Sequence, residues 1–190
     1  MRWFLKEIPQ DKALIPLLAA SRYICPMKIL MVCLGNICRS PLAEGILQKK
    51  ADDAGLNWLV ESAGTNSYHI GEAPHPLSQK VAFLNGIDIS RQRARRFLAE
   101  DFLTYDRIYA LANDVMDDIR DIAKKKFDPA RTDLLLNELY PGENRDVPDP
   151  WYGTEEGYHT VFHMLDEVCV KIVEKALHGQ PQQDYSGFKK

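Results

Sequence analysis

Ile29-Leu30-Met31-Val32-Cys33-Leu34-Gly35-Asn36-Ile37-Cys38-Arg39-Ser40-Pro41 is the stretch on which the reading of the whole chain turns. Ile29–Val32 is a short, uninterrupted apolar run, the pattern of a parallel strand buried on both faces. Pro41 stands where a first helical residue would be, since its missing N–H costs nothing there. Leu42, Ala43, Ile46 and Leu47 then recur at helical spacing on one face. Strand, loop and helix in this order begin an α/β unit whose loop, Cys33–Ser40, lies beyond the carboxyl end of a buried strand.

The rest of the chain continues the alternation. Trp58-Leu59-Val60 reads as a second strand, ahead of Ser62-Ala63-Gly64, and Leu77–Leu84 as a helix stopped by Asn85-Gly86. Arg107–Leu111 gives a third strand and Val115–Lys126 a helix with a basic end. Leu134-Leu135-Leu136 reads as a short fourth strand or a helical turn, and Tyr140–Gly153 as a loop. Thr154 caps a last helix whose buried face carries Val161, Leu165, Val168 and Ile172. The expected architecture is α/β: a single-domain three-layer sandwich with a central four-stranded parallel sheet and helices on both faces.

Residues 27–178 form the expected domain, with 1–26 an N-terminal extension of uncertain role and 179–190 a polar, disordered tail. The apolar run Ala13–Ala20 is interrupted by Pro16 and preceded by Glu7 and Asp11, which argues against a secretory signal. The 190 residues are 45% hydrophobic and 27% charged, with 24 Lys+Arg against 27 Asp+Glu, a net charge of −3. That balance gives no field for nucleic acid or anionic lipid. No apolar run reaches the roughly 20 residues that cross a bilayer. Four cysteines read as cytosolic thiols, so the expected location is cytoplasmic.

The Cys33–Ser40 loop has the parts of an anion site. It feeds a helix N-terminus, where unpaired N–H groups and the positive end of the dipole favour negative charge. Gly35 is expected to allow the backbone angles that let N–H groups converge. Arg39 brings a planar fork for two phosphate oxygens. A thiol in that field sits as a thiolate, with Ser40 donating to its sulfur. A nucleophile at the centre of a phosphate-sized cradle predicts phosphoryl transfer through a thiophosphate intermediate.

Val32–Pro41 resembles the signature of the low-molecular-weight protein tyrosine phosphatases, and Val147-Pro148-Asp149-Pro150-Trp151-Tyr152-Gly153 resembles that family's second motif. The similarity runs from about Lys28 to the end of the last helix. It implies that Cys33 is the nucleophile, that Arg39 binds the phosphoryl oxygens, and that N–H groups of Leu34, Gly35, Asn36, Ile37, Cys38 and Arg39 complete the cradle. It further implies that Ser40 stabilises the thiolate, that Asn36 and Ser62 hold the loop, and that Asp149 is general acid and then base. Trp151 and Tyr152 become the rim for an aryl phosphate. The partner implied is a phosphotyrosine protein or peptide; no metal or cofactor is needed, since Arg39 and backbone dipoles supply the charge.

Phosphoarginine phosphatase or thiol-dependent arsenate reductase activity on the same fold is the alternative. Ile37 stands where the phosphoarginine branch carries a small polar residue, and a reductase relay would fall to Cys25 or Cys169. Three departures from the family pattern stand out. Asn85 occupies a place often held by a loop-bound histidine, Leu111-Ala112 replaces a Met-Asp pair that supports the next helix start, and Trp151 replaces a tyrosine. Cys38, five residues after the nucleophile, is expected to form a redox disulfide with Cys33.

Overall fold

Strand β1 (Met27–Cys33) is the spine of the molecule because it has something to bury on each side. Ile29, Met31 and Cys33 face one core, Leu30 and Val32 the other. Successive side chains of a strand point to opposite faces, so only an unbroken apolar run suits a strand covered twice. The structure, a computed structural model, describes residues 26–179. The expected extension up to Cys25 and the tail beyond Gly179 lie outside the described residues, and Gly179 itself still belongs to the last helix.

The sheet is parallel throughout, in the order β2-β1-β3-β4, with β2 at Trp58–Gly64, β3 at Arg107–Ala110 and β4 at Thr132–Leu134. β2 outruns its apolar start: Glu61 to Gly64 stay paired with Leu30 to Cys33, because the ladder satisfies their backbone whatever the side chains. Leu134 ends β4, whereas Leu135 and Leu136 begin a 3-10 turn that carries their side chains into the core. Helices α1 (Arg39–Asp53), α2 (Pro76–Leu84) and α4 (Glu155–Gly179) cover one face, and α3 (Asn113–Ala123) with a 3-10 turn at Ala99–Leu103 covers the other. The expected three-layer α/β sandwich is the fold observed.

The helix starts differ in detail from the sequence expectation. α1 begins at Arg39, so Pro41 is its third residue rather than its first; N–H groups throughout the first turn lack intrahelical partners, so the ring is tolerated equally well. α3 stops at Ala123 because Lys124 takes a φ of 50°, and Lys124–Lys126 continues only as a 3-10 turn. Ala112 stands at the N-cap of α3 and makes no side-chain capping hydrogen bond, in keeping with the doubt its replacement of an acidic residue raised about this helix start. Asp146 supplies the missing acceptor from the later loop, taking the Asn113 N–H at 2.8 Å. Among the described residues no helix is long and apolar enough to cross a membrane.

Candidate active site

Cys33 ends the central strand, and its buried sulfur lies 3.0 Å from Ser40 Oγ and accepts the Asn36 N–H at 3.2 Å. The curl of the loop around this sulfur depends on Asn36, whose φ is 56°. Gly35, expected to supply that freedom, does not take a positive φ. Asn36 does so at the cost an L residue pays for the left-handed region, and its side chain makes good the loss. Its amide donates to Ser40 Oγ at 2.9 Å and Ser62 Oγ at 2.8 Å, while its oxygen accepts the Arg95 N–H at 2.9 Å. Two glycines serve by having no side chain. A Cβ on Gly64 would stand 2.8 Å from the Leu34 carbonyl oxygen, and one on Gly35 would meet the His69 ring at 3.2 Å.

The hydrogen-bond chain runs on from Ser62, whose hydroxyl donates to Glu44 at 2.6 Å. Burial pushes the Glu44 carboxyl up to about 7 and Glu61 adds to the rise, against the opposing effects of the Ser62 bond, Arg95 and Gln92. An acid whose folded value lies above its ordinary 4.5 holds its proton more firmly folded than unfolded, so stability falls as pH rises from 4.5 to about 7. Glu44→Gln keeps an acceptor for Ser62 and removes the charge. The variant should be more resistant to urea than the wild type at pH 8, by about 1–3 kcal/mol, and no more resistant at pH 4. Equal unfolding midpoints for the two proteins at pH 8 would contradict this.

Arg39 is nearly buried, at 5% exposure, and its guanidinium donates to Asp149 Oδ2 at 2.6 Å and the Val147 carbonyl at 3.3 Å. The other carboxylate oxygen of Asp149 accepts the Trp151 N–H at 3.1 Å. A cavity of about 290 Å³ opens above the loop. It is lined by residues of the loop from Cys33 to Arg39, by Asp149, Trp151 and Tyr152, and by Asn66, Tyr68 and His69. Two segments far apart in sequence thus close over one sulfur.

The sequence profile of the low molecular weight phosphotyrosine protein phosphatases matches residues 28–183. The chain belongs to that family. The human low molecular weight phosphotyrosine protein phosphatase is 36% identical over 154 residues, covering 78% of this chain and 94% of that protein. A protein tyrosine phosphatase from Entamoeba histolytica, solved with Hepes in its active site, matches with a TM-score of 0.73 and 33% identity, over 80% of this chain and 98% of the other. Vibrio vulnificus Wzb in complex with benzylphosphonate matches with a TM-score of 0.70 and 28% identity, over 78% and 97% of the two chains.

Within this low molecular weight phosphatase fold, Cys33, Arg39, Ser40, Asn36, Ser62, Asp149 and the Trp151-Tyr152 rim meet at one site. Asn85 does not join it: its amide donates to the Val81 carbonyl at 2.8 Å, one turn back on α2, and the Arg95 backbone bonds Asn36 instead. His69, His75, Tyr68 and Tyr158 were not legible as site residues. His75 carried the one usable signal, a histidine set between Pro74 and Pro76 at a helix start, where its imidazole caps α2 by accepting the Leu77 N–H at 3.3 Å. Tyr158 lies buried on α4 with its hydroxyl 3.6 Å from Cys38 Sγ.

Proposed function

We propose that the chain hydrolyses phosphotyrosine monoesters and small aryl phosphates through a phosphocysteine intermediate. The observation that carries this is the convergence of Cys33, Arg39 and Asp149 on one cavity with aromatic walls. A phosphoryl dianion would sit on the N–H groups of the Leu34–Arg39 loop, and Arg39 would exchange its bond to Asp149 for two phosphoryl oxygens. Asp149, released from the guanidinium, is then placed to serve as the proton donor that the reaction needs. The Cys33 thiolate attacks phosphorus, the S–P bond forms, the P–O bond breaks, and Asp149 hands its proton to the phenol oxygen. In the second step Asp149 takes a proton from water as it attacks phosphorus, and the thiolate leaves, steadied by Ser40 at 3.0 Å. No step calls for a metal or cofactor.

The rim favours a flat ring. Trp151, Tyr152, Tyr68 and His69 give the cavity an aromatic lining, and Ile37 adds an aliphatic contact that a charged guanidinium would find costly. Binding of benzylphosphonate by the Vibrio protein, an aryl ligand in a related fold, agrees with that preference. The partner is then a phosphotyrosine protein or peptide, encountered in the cytoplasm, with neither nucleic acid nor membrane involved. An arsenate reductase relay finds little support in Cys169, which lies on α4 with its side chain fully buried in the core. Matched peptides carrying phosphotyrosine and phosphoarginine provide the test: kcat/KM for phosphotyrosine should exceed that for phosphoarginine by at least about 100-fold, the scale set by an unpaired charge in an apolar rim. Preference for phosphoarginine would overturn the assignment.

Cys38 is proposed as a protective partner of the nucleophile. Both thiols are buried on one curled loop, near enough that charge on Cys33 raises the Cys38 thiol. Burial is the largest cause and pushes the thiol up to about 12, with smaller rises from Cys33 and Asp149 set against the Tyr158 hydrogen bond and Arg39. Peroxide would convert the Cys33 thiolate to sulfenic acid, and Cys38 would displace water to form the disulfide, slowly because its thiolate is scarce. After mild peroxide, peptide mass spectrometry should show Cys33–Cys38 and dithiothreitol should restore activity. A sulfonic acid on Cys33 beside reduced Cys38 would rule the disulfide out.

A further inference from the structure

We propose that His75 is a positioning residue for the general acid, clamping the loop that carries Asp149 against the phosphate loop; the inference rests on the assignment of Asp149 above. His75 touches both parts of the machinery. Its backbone N–H donates to the Ile37 carbonyl at 2.7 Å, which ties it to the phosphate loop. Its ring stacks on Tyr158 at 5.2 Å and 14°, and meets the Trp151 indole nearly edge-on at 5.4 Å and 66°. Trp151 is gripped from its other neighbour as well, since the His69 ring lies 5.6 Å away, with Nδ1 donating to Glu72 at 2.9 Å.

The grip matters because of what the Trp151 backbone does. Its N–H holds Asp149 Oδ1 at 3.1 Å, and the other oxygen is held by Arg39. When phosphate draws Arg39 away, the Trp151 N–H is the contact left to aim the carboxyl at the leaving oxygen. A carboxyl that swings on its loop loses the alignment on which proton transfer depends. Fixing the indole fixes that N–H, and the ring of His75 is the piece that joins the indole to Tyr158 and the cradle. Burial holds the imidazole below its usual range and Nδ1 accepts from Leu77, so the ring works as a neutral aromatic plate.

Two substitutions separate this role from the capping of α2. His75→Asn keeps a capping acceptor and removes the ring; His75→Phe keeps the ring and removes the cap. Acid catalysis matters most when the leaving group is poor, so kcat/KM should be compared for phenyl phosphate and p-nitrophenyl phosphate, with Asp149→Asn as reference. His75→Asn should lose about tenfold with phenyl phosphate and less than about threefold with p-nitrophenyl phosphate, while His75→Phe stays near wild type with both despite a lower Tm. Equal losses on the two substrates for His75→Asn, or a loss for His75→Phe like that for His75→Asn, would overturn the clamp. If Asp149→Asn itself shows no dependence on leaving group, the acid assignment fails and the clamp with it. If only His75→Asn lacks that dependence, the clamp alone is wrong.

Discussion

Cys33→Ser should abolish turnover, lowering kcat for p-nitrophenyl phosphate by about 10⁴-fold or more, while the protein still binds tungstate. The expectation follows from what each group contributes. Serine replaces the thiolate with a hydroxyl that has no neighbouring base: Ser40 Oγ and the Asn36 N–H, the two groups at the sulfur, are placed to stabilise an anion rather than to remove a proton. The oxyanion cradle is made of backbone and Arg39, of which only the Asn36 N–H bonds the sulfur, and a serine oxygen can accept that bond in its place. Catalysis and binding should therefore separate cleanly. Retention of even a tenth of wild-type kcat, measured on protein shown by mass to carry the substitution, would exclude the phosphocysteine pathway. Loss of tungstate binding together with activity would instead mean that the sulfur is needed to shape the loop.

Asp149→Asn carries the second large effect, and its sign differs between chemistry and binding. Losing the proton donor should lower kcat/KM for phenyl phosphate by about 10²–10³-fold and for p-nitrophenyl phosphate by about tenfold or less, because a good leaving group needs little help. The same change removes the carboxylate that engages Arg39 at 2.6 Å in the free protein. Arg39 no longer has to give up an ion pair to bind phosphate, so inorganic phosphate should inhibit the variant several-fold more strongly than the wild type. Weaker acid catalysis with tighter product binding is a combination that simple unfolding does not produce. A variant equally impaired on both substrates, with phosphate inhibition unchanged, would remove Asp149 from its assigned role.

The cradle could be read in the sequence because its parts are neighbours. Cys33, Gly35, Asn36, Arg39 and Ser40 lie within eight residues that join an apolar run to a helical pattern, and local geometry forces them together. Even so, the source of the loop's conformation was misplaced. Glycine is the residue that sequence reasoning credits with a positive φ, yet Asn36 takes it, because its amide donates to Ser40 and Ser62 and its oxygen accepts the Arg95 N–H, three bonds that hold the side chain. Two of those partners come from elsewhere in the chain. Asn85, a residue type suited to a network, sits at a helix end where its amide donates to the Val81 carbonyl of its own helix.

Apolar periodicity, turn residues and one eight-residue loop determined the parallel sheet, the helices on both faces and the place of the proposed nucleophile, since each depends on residues close in sequence. The tertiary structure alone decided which carboxylate reaches the guanidinium, since Arg39 and Asp149 are separated by 110 positions. It alone placed His69 and His75 beside Trp151, and ended the Ser62 hydroxyl on Glu44. Those contacts cluster at the carboxyl ends of the parallel strands, where the sheet order β2-β1-β3-β4 brings distant segments together and local preference has nothing to say.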